Sequence, residues 1–573
     1  QVTREVRNAC HSPVCVDPAP AAEVVVLSQT GAALTGVPHD ARYPGMCGEG
    51  NQRDQNLNEA GDTEGGALSQ LGVKELALAL TGTRLLPGSR PFASCYGGHQ
   101  FGNWAGQLGD GRVATLGEIR AGGDRDGVSG VAASWDGHLV EIQLKGIGKT
   151  PYSRDGDGKA VLGACLREYL FSEAFIGLGL AAAVAVSVCS TGQGSMVPAS
   201  DAERRGALKQ ASGAVLCRTA PSFLRFGSFE LPARRGDMDV VRRLANFCLR
   251  YLGPHLERPQ STGASRADPH LPTEGLGKKY DRCATTVGNN ESYVESQVVW
   301  PRPKDGMVRA TQNEGKGDVG SKNDYLVLLV AIVQATARMV AGWQALGFCH
   351  GVLNTDNFTL LGLALDFGPC SFMEKYDPAW SPNGGDSALR YTFQNQPDIS
   401  AWNCERLSEA FSSLVGVSGV AEANKAFSPE FDFTYTSHLQ RKFGLTGMEL
   451  GGGWVDALRS GGTSPCEMKA GLSSDAQFVW RFFQLMSTCE TDFTDTWRAL
   501  LDVPALSKVP KMTPGGLEVR LCCTRDGDGS ELPDEDALRP LVSVLRAAGV
   551  SSDQMRGWAE WTREYMARID TQA

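Results

Sequence analysis

No stretch of this 573-residue chain reaches the roughly 18–20 consecutive apolar residues that a membrane span requires. The two nearest, 175–189 and 325–333, are shorter: the first is rich in Gly and Ala, and the second runs on into Gln334 and Arg338, so both read as core elements. The 16 cysteines contain no C-x-x-C pair and lie singly apart from Cys522-Cys523, which argues against a zinc or dithiol site and for mostly reduced, buried thiols. Positive charge is in deficit. A net charge of -10 argues against a general polyanion binder, nucleic acid included, while leaving room for a local basic pocket. An initiator Met is also lacking: the chain opens at Gln1, so a fragment or processed form is expected, with any targeting peptide out of view.

What is present is enough apolar material, 42%, for a sizeable core, in a chain long enough for more than one domain or for one large domain with additions. Three tracts, 48–65, 121–134 and 257–323, carry Ser, Thr, Gly, Pro and charge with few aliphatics. They read as poorly structured insertions, since they bury too little surface to offset their ordering entropy. Between them the pattern predicts strands first and helices later. The run 138–144 (HLVEIQL) alternates as a strand ending at Lys145. A helix is predicted over 157–178, with Leu162, Leu166, Leu170 and Ala174 at i,i+4 spacing, and a second over 324–346, ending at Gly347. From about 377 onward helical spacing dominates, as at 476–486 and 497–501.

Five motifs carry chemistry. In GGHQFGNWAGQLGDGR, 97–112, six glycines let the backbone approach a ligand and aim N–H groups at phosphate, with Arg112 adding charge; a plain tight hairpin is the alternative. Lys145 at a strand end is followed 23 residues later by Glu168 in the predicted helix, a carboxylate that could fix the lysine's flexible stem over phosphates; pairing with Arg167 is the alternative. The turn 150–159 (TPYSRDGDGK) suits anion binding at a helix N-terminus through its N–H groups and Lys159, or else supplies an N-cap from Asp155 or Asp157. Arg218 and Arg225, set among apolar residues, need anionic partners, either phosphates or structural carboxylates.

The fifth motif is the most informative: HGVLNTDNFTLLGLALDFG, 350–368, sets Asp356 beside Asn357 and follows them, past a Leu-rich strand or hairpin, with Asp366-Phe367-Gly368. Asn357 and Asp366 offer the oxygen donors a nucleotide-bound Mg²⁺ takes, and Asp356 could accept a proton from an attacking hydroxyl. The grammar is that of a protein-kinase catalytic loop and metal site, with an adjacent Asp-Asn where a kinase spaces the two apart.

Taken in order, these strings, with LKGIGKTPYSRDGDGKAVL, REYLFSEA, CRTAPSFLRFG, RYTFQNQP and AWNCERL, resemble the selenoprotein O family of kinase-fold proteins over much of 96–407, and more weakly to about 563. The resemblance implies an α+β, protein-kinase-like two-lobed fold with an N-terminal extension at 1–73, a nucleotide-binding domain at 74–376 carrying the 257–323 insertion, and a mostly helical region at 377–573. It implies ATP bound in a flipped orientation and AMP transferred to Ser, Thr or Tyr hydroxyls of proteins. Carried over by motif, Asp356 would be the proton acceptor, and Asn357 and Asp366 would bind Mg²⁺, or Mn²⁺. Lys145, paired with Glu168, would hold phosphates, and Gly109, Gly111, Arg112, Asp157, Gly158, Arg218 and Arg225 would complete the nucleotide site with Asp366.

The chain departs from the family in ending at Asp570-Thr571-Gln572-Ala573, apparently before the terminal segment where members often carry a redox-active Cys or selenocysteine, and in having Gly97 where Ser is usual, a change expected to leave the loop working. Family membership implies mitochondria for a eukaryotic member and cytoplasm for a bacterial one. The competing functions are a protein phosphotransferase and a nucleotide-binding pseudokinase scaffold. A scaffold has no need of the complete set Lys145, Glu168, Asp356, Asn357 and Asp366.

Overall fold

The computed structural model describes residues 10–37, 73–122, 130–198, 208–256, 321–445, 447–451, 472–503 and 535–572. Of the tracts predicted to be poorly structured, 48–65, 123–129 and 257–320 lie outside the described residues. The rest of the second tract is ordered after all: Gly130–Trp135 forms a 3-10 helix that buries Ala132 and Trp135.

Strands dominate the first part of the chain, but the helices Gln29–Thr35, Val73–Leu80 and Leu162–Gly177 are set between them. The strands are β1 (His11–Pro13), β2 (Glu23–Leu27), β3 (Phe92–Tyr96), β4 (His99–Gln100), β5 (Asn103–Trp104), β6 (Leu108–Gly109), β7 (Val113–Arg120), β8 (Leu139–Lys145), β9 (Ala160–Val161), β10 (Val184–Pro198) and β11 (Leu208–Ala220). The β4–β5 pair stands alone as a hairpin. The others form one sheet in the order β1-β3-β7-β8-β11-β10-β2, with β6 added to β3 and β9 to β11. Residues of the expected N-terminal extension thus supply its two edge strands, β1 and β2.

Alternation along β11 explains how the sheet is covered. Val215 and Cys217 face one way, into a cluster with Leu144, Leu76 and Leu80 from the helix Val73–Leu80. Ala214 and Leu216 face the other way, with Cys165 and Tyr169 of the helix Leu162–Gly177, and Arg218 follows on that same face. Lys145, the last residue of β8, is paired with Val113 on one side and Leu216 on the other, so its backbone is held between two neighbours.

That helix begins later than its sequence suggests. Gly158 has φ +72, and a Cβ there would lie 2.1 Å from the Gly148 carbonyl oxygen, so 157–159 forms a turn packed on 148 and β9 intervenes before Leu162. Neither Asp155 nor Asp157 caps the helix, whose N-cap is Val161. The expected leucine stripe is only partly buried, with Leu170 63% exposed, while Cys165, Glu168, Tyr169, Ser172 and Phe175 form the buried face. Strict i,i+4 steps drift around a helix of 3.6 residues per turn, so a four-member stripe cannot keep one face.

Among the described residues after β11 the regular elements are helices apart from β12 (Phe348–Cys349) and β13 (Ser371–Phe372), which pair with each other. The central helix runs Lys322–Leu346, two residues earlier than predicted because Ser321 and Asp324 form a capping box; Gly347, at φ 70, ends it. By length and composition it is the one helix among the described residues that could cross a membrane. Leu328, Leu329, Ile332, Val333 and Val340 on it have no exposed surface, and it packs on Gln396–Ala410, Ser412–Asn424 and Phe427–Phe443. One buried cluster runs from this helix through Phe431 and Phe482 to Trp558 and Trp561, so residues on both sides of the expected boundary at 376/377 share a core. The stretches expected to be helical near the end appear as Ser474–Thr488 and Phe493–Ala499.

Candidate active site

A cleft of about 730 Å³ opens between the sheet, the helix Leu162–Gly177 and the 354–368 segment. That is within the range of roughly 300–1,000 Å³ typical of small-molecule sites. Gly109, Gly111, Arg112, Lys145, Asp157, Gly158, Glu168, Arg225, Asp356, Asn357 and Asp366 all line it. Residues up to 257 positions apart in sequence, such as Gly109 and Asp366, are therefore brought to one surface.

On one side of the cleft cations and carboxylates form a closed network. Lys145 Nζ donates to Glu168 Oε2 at 2.5 Å and to Asp366 Oδ1 at 2.7 Å. Arg218, fully buried behind them, donates to Glu168 Oε1 at 2.6 Å and Asp366 Oδ1 at 2.8 Å, and its guanidinium is held by Gln143 Oε1 at 3.0 and 3.1 Å. Arg225 Nη1 reaches Asp366 Oδ2 at 2.6 Å and the Asp356 carbonyl at 2.7 Å. The buried-arginine question thus resolves toward carboxylate partners in this state, and Arg218 stands one layer behind the cleft wall. Burial works to raise the Asp366 carboxyl, but Lys145, Arg225 and Arg218 outweigh it and hold the group well below the usual carboxylate range. Asp366 also has φ 57, a left-handed conformation unusual outside glycine. His350, buried, donates from Nε2 to the Leu365 carbonyl at 3.2 Å and so fixes the residue before it.

Glu168 does not pair with Arg167. Arg167 turns to the other side, donating to the carbonyls of Gly368 (2.8 Å) and Cys370 and lying 5.0 Å from the Phe171 ring centroid, which ties the end of the Asp366-Phe367-Gly368 segment to the helix. The stretch between Asn357 and Asp366 is no strand or hairpin. It makes isolated bridges, Arg225 with Thr359 and Ala182 with Ala364, that hold it across two other segments.

Asp356 is the opposite of Asp366. Its Oδ2 accepts one hydrogen bond, from Gln100 Nε2 at 3.1 Å, and its buried Oδ1 has no partner. Burial raises this carboxyl to about 6, against the opposing pull of Arg225 and Gln100. Asn357 commits its amide nitrogen to the Val352 carbonyl at 2.9 Å, leaving the oxygen as the available end.

The glycine-rich stretch splits in function. The β4–β5 hairpin packs on 354–356 and brings only Gln100 to the cleft, whereas residues 107–113 line it continuously. A Cβ at Gly109 would meet Tyr152 Cγ at 2.5 Å, and at Gly111 the Tyr152 carbonyl at 3.1 Å, so the close approach these glycines permit is to the 150–153 turn behind the cleft wall. Gly97 is tighter than expected: a Cβ would lie 2.6 Å from Trp104 and 3.0 Å from the Gly106 carbonyl, so Ser there requires the Trp104 ring to shift. The 153–159 turn does border the cleft, but Lys159 Nζ is engaged by Gln193 Oε1 at 3.0 Å.

Sequence reasoning missed Tyr96, Gln100, Asp110 and Gln143. Asp110, buried, accepts from the Ser94 N–H at 3.1 Å and Tyr96 Oη at 3.2 Å and stands 3.7 Å from Arg225, whose guanidinium lies 4.9 Å from the Tyr96 ring centroid. The signal for Gln143 was available: it is two residues before Lys145 on a strand, hence on the same face.

Sheet, helices and cleft together define a mixed α/β protein with a large charged cleft that gathers cations, carboxylates and an amide oxygen. The family model described as protein adenylyltransferase SelO matches residues 68–571, and the chain belongs to that family. It is similar to proteins named protein nucleotidyltransferase YdiU: 35% identical over 423 residues to that of Xanthomonas campestris pv. campestris strain 8004, covering 74% of this chain and 62% of the relative. Identity is 33% over 506 residues to that of Tolumonas auensis, covering 88% and 73%, and 32% over 560 residues to that of Aromatoleum aromaticum, covering 97% and 78%. The chain therefore spans less than two thirds of the length of the Xanthomonas relative.

Proposed function

We propose that this chain transfers AMP from ATP to hydroxyl groups of proteins. In this reading the two sides of the cleft correspond to the lobes of a protein-kinase-like fold: the sheet with the helix Leu162–Gly177, and the helical remainder entered at 350–368. Residues 74–376 form the nucleotide-binding part and 377–573 a helical region that supports it. The carrying observation is the convergence of Lys145, Arg218 and Arg225 on Asp366 beside the Asp356-Asn357 pair. Three cations gathered on one carboxylate, two of them lining the cleft and Arg218 behind its wall, put positive charge in place for a polyphosphate before it arrives. Family membership and the printed name of the relatives, protein nucleotidyltransferase, support the same reaction class.

A divalent metal fits the donors present. Among the described residues no group of three His, Cys, Asp or Glu side chains could hold an ion alone. The candidates are one carboxylate, Asp366, and one amide oxygen, Asn357, which suits an ion such as Mg²⁺ that keeps waters and completes its shell with substrate phosphates. When bound, it would neutralise charge developing on the phosphates. The chain's own groups do the rest. Lys145, steadied by Glu168, and Arg225 bind phosphate oxygens as these replace the Asp366 contacts; Arg112, Gly109, Gly111, Asp157 and Gly158 border the nucleotide. Asp356 accepts the proton of the acceptor hydroxyl as its oxygen attacks the α-phosphorus, and the bond to pyrophosphate breaks. A Ser, Thr or Tyr hydroxyl is the acceptor class. The relatives named above are bacterial, which lends a mitochondrial address no support.

ATP labelled at the α- or the γ-phosphate tests this directly. Label reaching protein from the α position, with loss of transfer in Asp356→Ala, is expected. Label arriving from the γ position alone would make the chain a phosphotransferase, and binding without transfer from either would make it a scaffold.

A further inference from the structure

The β4–β5 hairpin is locked onto the segment that carries Asp356, residue by residue. Gly98 comes so close that a Cβ would lie 2.9 Å from Thr355 Oγ1 and 3.2 Å from Asp356 Cβ. The His99 N–H donates to Thr355 Oγ1 at 2.7 Å, Gln100 Nε2 to Asp356 Oδ2 at 3.1 Å, and the Phe101 N–H to Asn354 Oδ1 at 3.2 Å and to Tyr391 Oη at 2.8 Å. Four consecutive residues thus read three consecutive residues more than 250 positions away. The hairpin is braced from behind: His99 Nδ1 pairs with Glu230 Oε2 at 2.5 Å, both side chains are buried, and the His99 ring meets Trp104 and Trp402 edge-on. The backbone at Phe101 is held at φ 50, a conformation an unconstrained Phe avoids.

Such bracing exceeds what a surface hairpin of two-residue strands needs, and its one side-chain donor to a carboxylate in the cleft is Gln100. Among the described residues it is the only side chain hydrogen-bonded to the Asp356 carboxylate, while the other oxygen is buried without a partner. We propose that Gln100 is a positioning residue for Asp356: its amide, donating to Oδ2, sets the direction in which the carboxylate meets the acceptor hydroxyl. The inference rests on Asp356 acting as proton acceptor, as read above. An amide suits the task because it donates without carrying charge, so it orients the carboxylate and leaves its proton-accepting capacity in place. The hairpin, pinned by His99 and Glu230, gives that amide a fixed origin.

The test compares the wild-type chain with Gln100→Leu, which keeps the bulk and loses the donor, and Gln100→Asn, which keeps the amide one methylene short. Transfer of α-label and affinity for a non-hydrolysable ATP analogue are measured for each. A charge-assisted hydrogen bond lost from the acting group predicts a fall in kcat of about 10- to 100-fold for Gln100→Leu, with KM for ATP and analogue affinity within about twofold of wild type, and an intermediate kcat for Gln100→Asn. Retained analogue affinity also certifies that the variants fold. Adding Gln100→Leu to Asp356→Ala is expected to cost nothing further, since the positioned group is gone. A kcat for Gln100→Leu within twofold of wild type, a loss confined to KM, or a multiplicative loss in the double variant overturns the proposal. A wild type that transfers no α-label overturns the reading beneath it instead.

Discussion

The two aspartates of the cleft are ten residues apart in sequence and opposite in environment. Asp366 is held by three cations and stays ionised far below the usual range; Asp356 has one neutral donor, an orphaned oxygen and a carboxyl raised to about 6. In the proposed reading the contrast is a division of work: the saturated carboxylate keeps cations in place until phosphates and metal take them over, whereas the under-satisfied one remains available for a proton.

The largest effect expected from breaking the contrast is at its saturated end. Asp366→Ala should abolish metal-dependent ATP binding in calorimetry, and it should also lower stability, by about 3–5 kcal/mol in denaturant titration, because three buried or half-buried cations lose their shared anion. Undiminished binding in that variant would misassign the metal site. At the other end, Asp356→Ala should leave ATP affinity near wild type and reduce kcat by about 10²–10⁴-fold, the usual range for a lost general base. Glu168→Ala should be milder, raising KM for ATP through a loosened Lys145 and costing about 3 kcal/mol of stability, since Lys145 and Arg218 keep Asp366.

Acid should separate the two carboxylates without mutation. Asp356 must be ionised to accept a proton, so transfer is expected to fall about tenfold per pH unit below about 6. Asp366 has a depressed folded-state value, so the stability it contributes is fully present above the ordinary aspartate value of 3.8 and is lost only as pH falls below it. Activity should therefore disappear between pH 6 and 4 while near-ultraviolet circular dichroism is retained; coincident loss of both would refute the division. The smallest effect lies away from the cleft. Lys442, whose Nζ lies 5.1 and 4.4 Å from the Phe493 and Trp497 ring centroids, is pushed down to about 7 by burial. Between about 7 and its unfolded value of 10.5 the unfolded chain binds the extra proton, so stability rises with pH there. Lys442→Met should raise Tm at pH 6 and do so less at pH 9.

Much of the saturated side was legible in the sequence. A lysine ending an alternating strand, a glutamate on an apolar helix patch 23 residues on and two arginines among apolar residues each announce a need for a partner, and charge pairing supplies it. The start of the helix at Leu162 was misjudged because Gly158 could be read either as a helix residue or as the turn it forms. The under-satisfied side was far less legible. Asp356 and Asn357 are plain in the string, but the contact of Gln100 with Asp356 spans 256 residues, and nothing in the local pattern of GGHQFG tells a phosphate loop from a hairpin that braces another loop. Long-range hydrogen bonds between short irregular segments leave no period to read.

The central claim is that the cleft transfers the α-phosphoryl group of ATP with Asp356 as proton acceptor. Incubation of the chain with divalent metal and α-labelled ATP, alongside Asp356→Ala, tests it most directly: covalent label on protein hydroxyls with wild type and near-background label with the variant is predicted, and label that comes only from the γ position, or that survives Asp356→Ala undiminished, would contradict it.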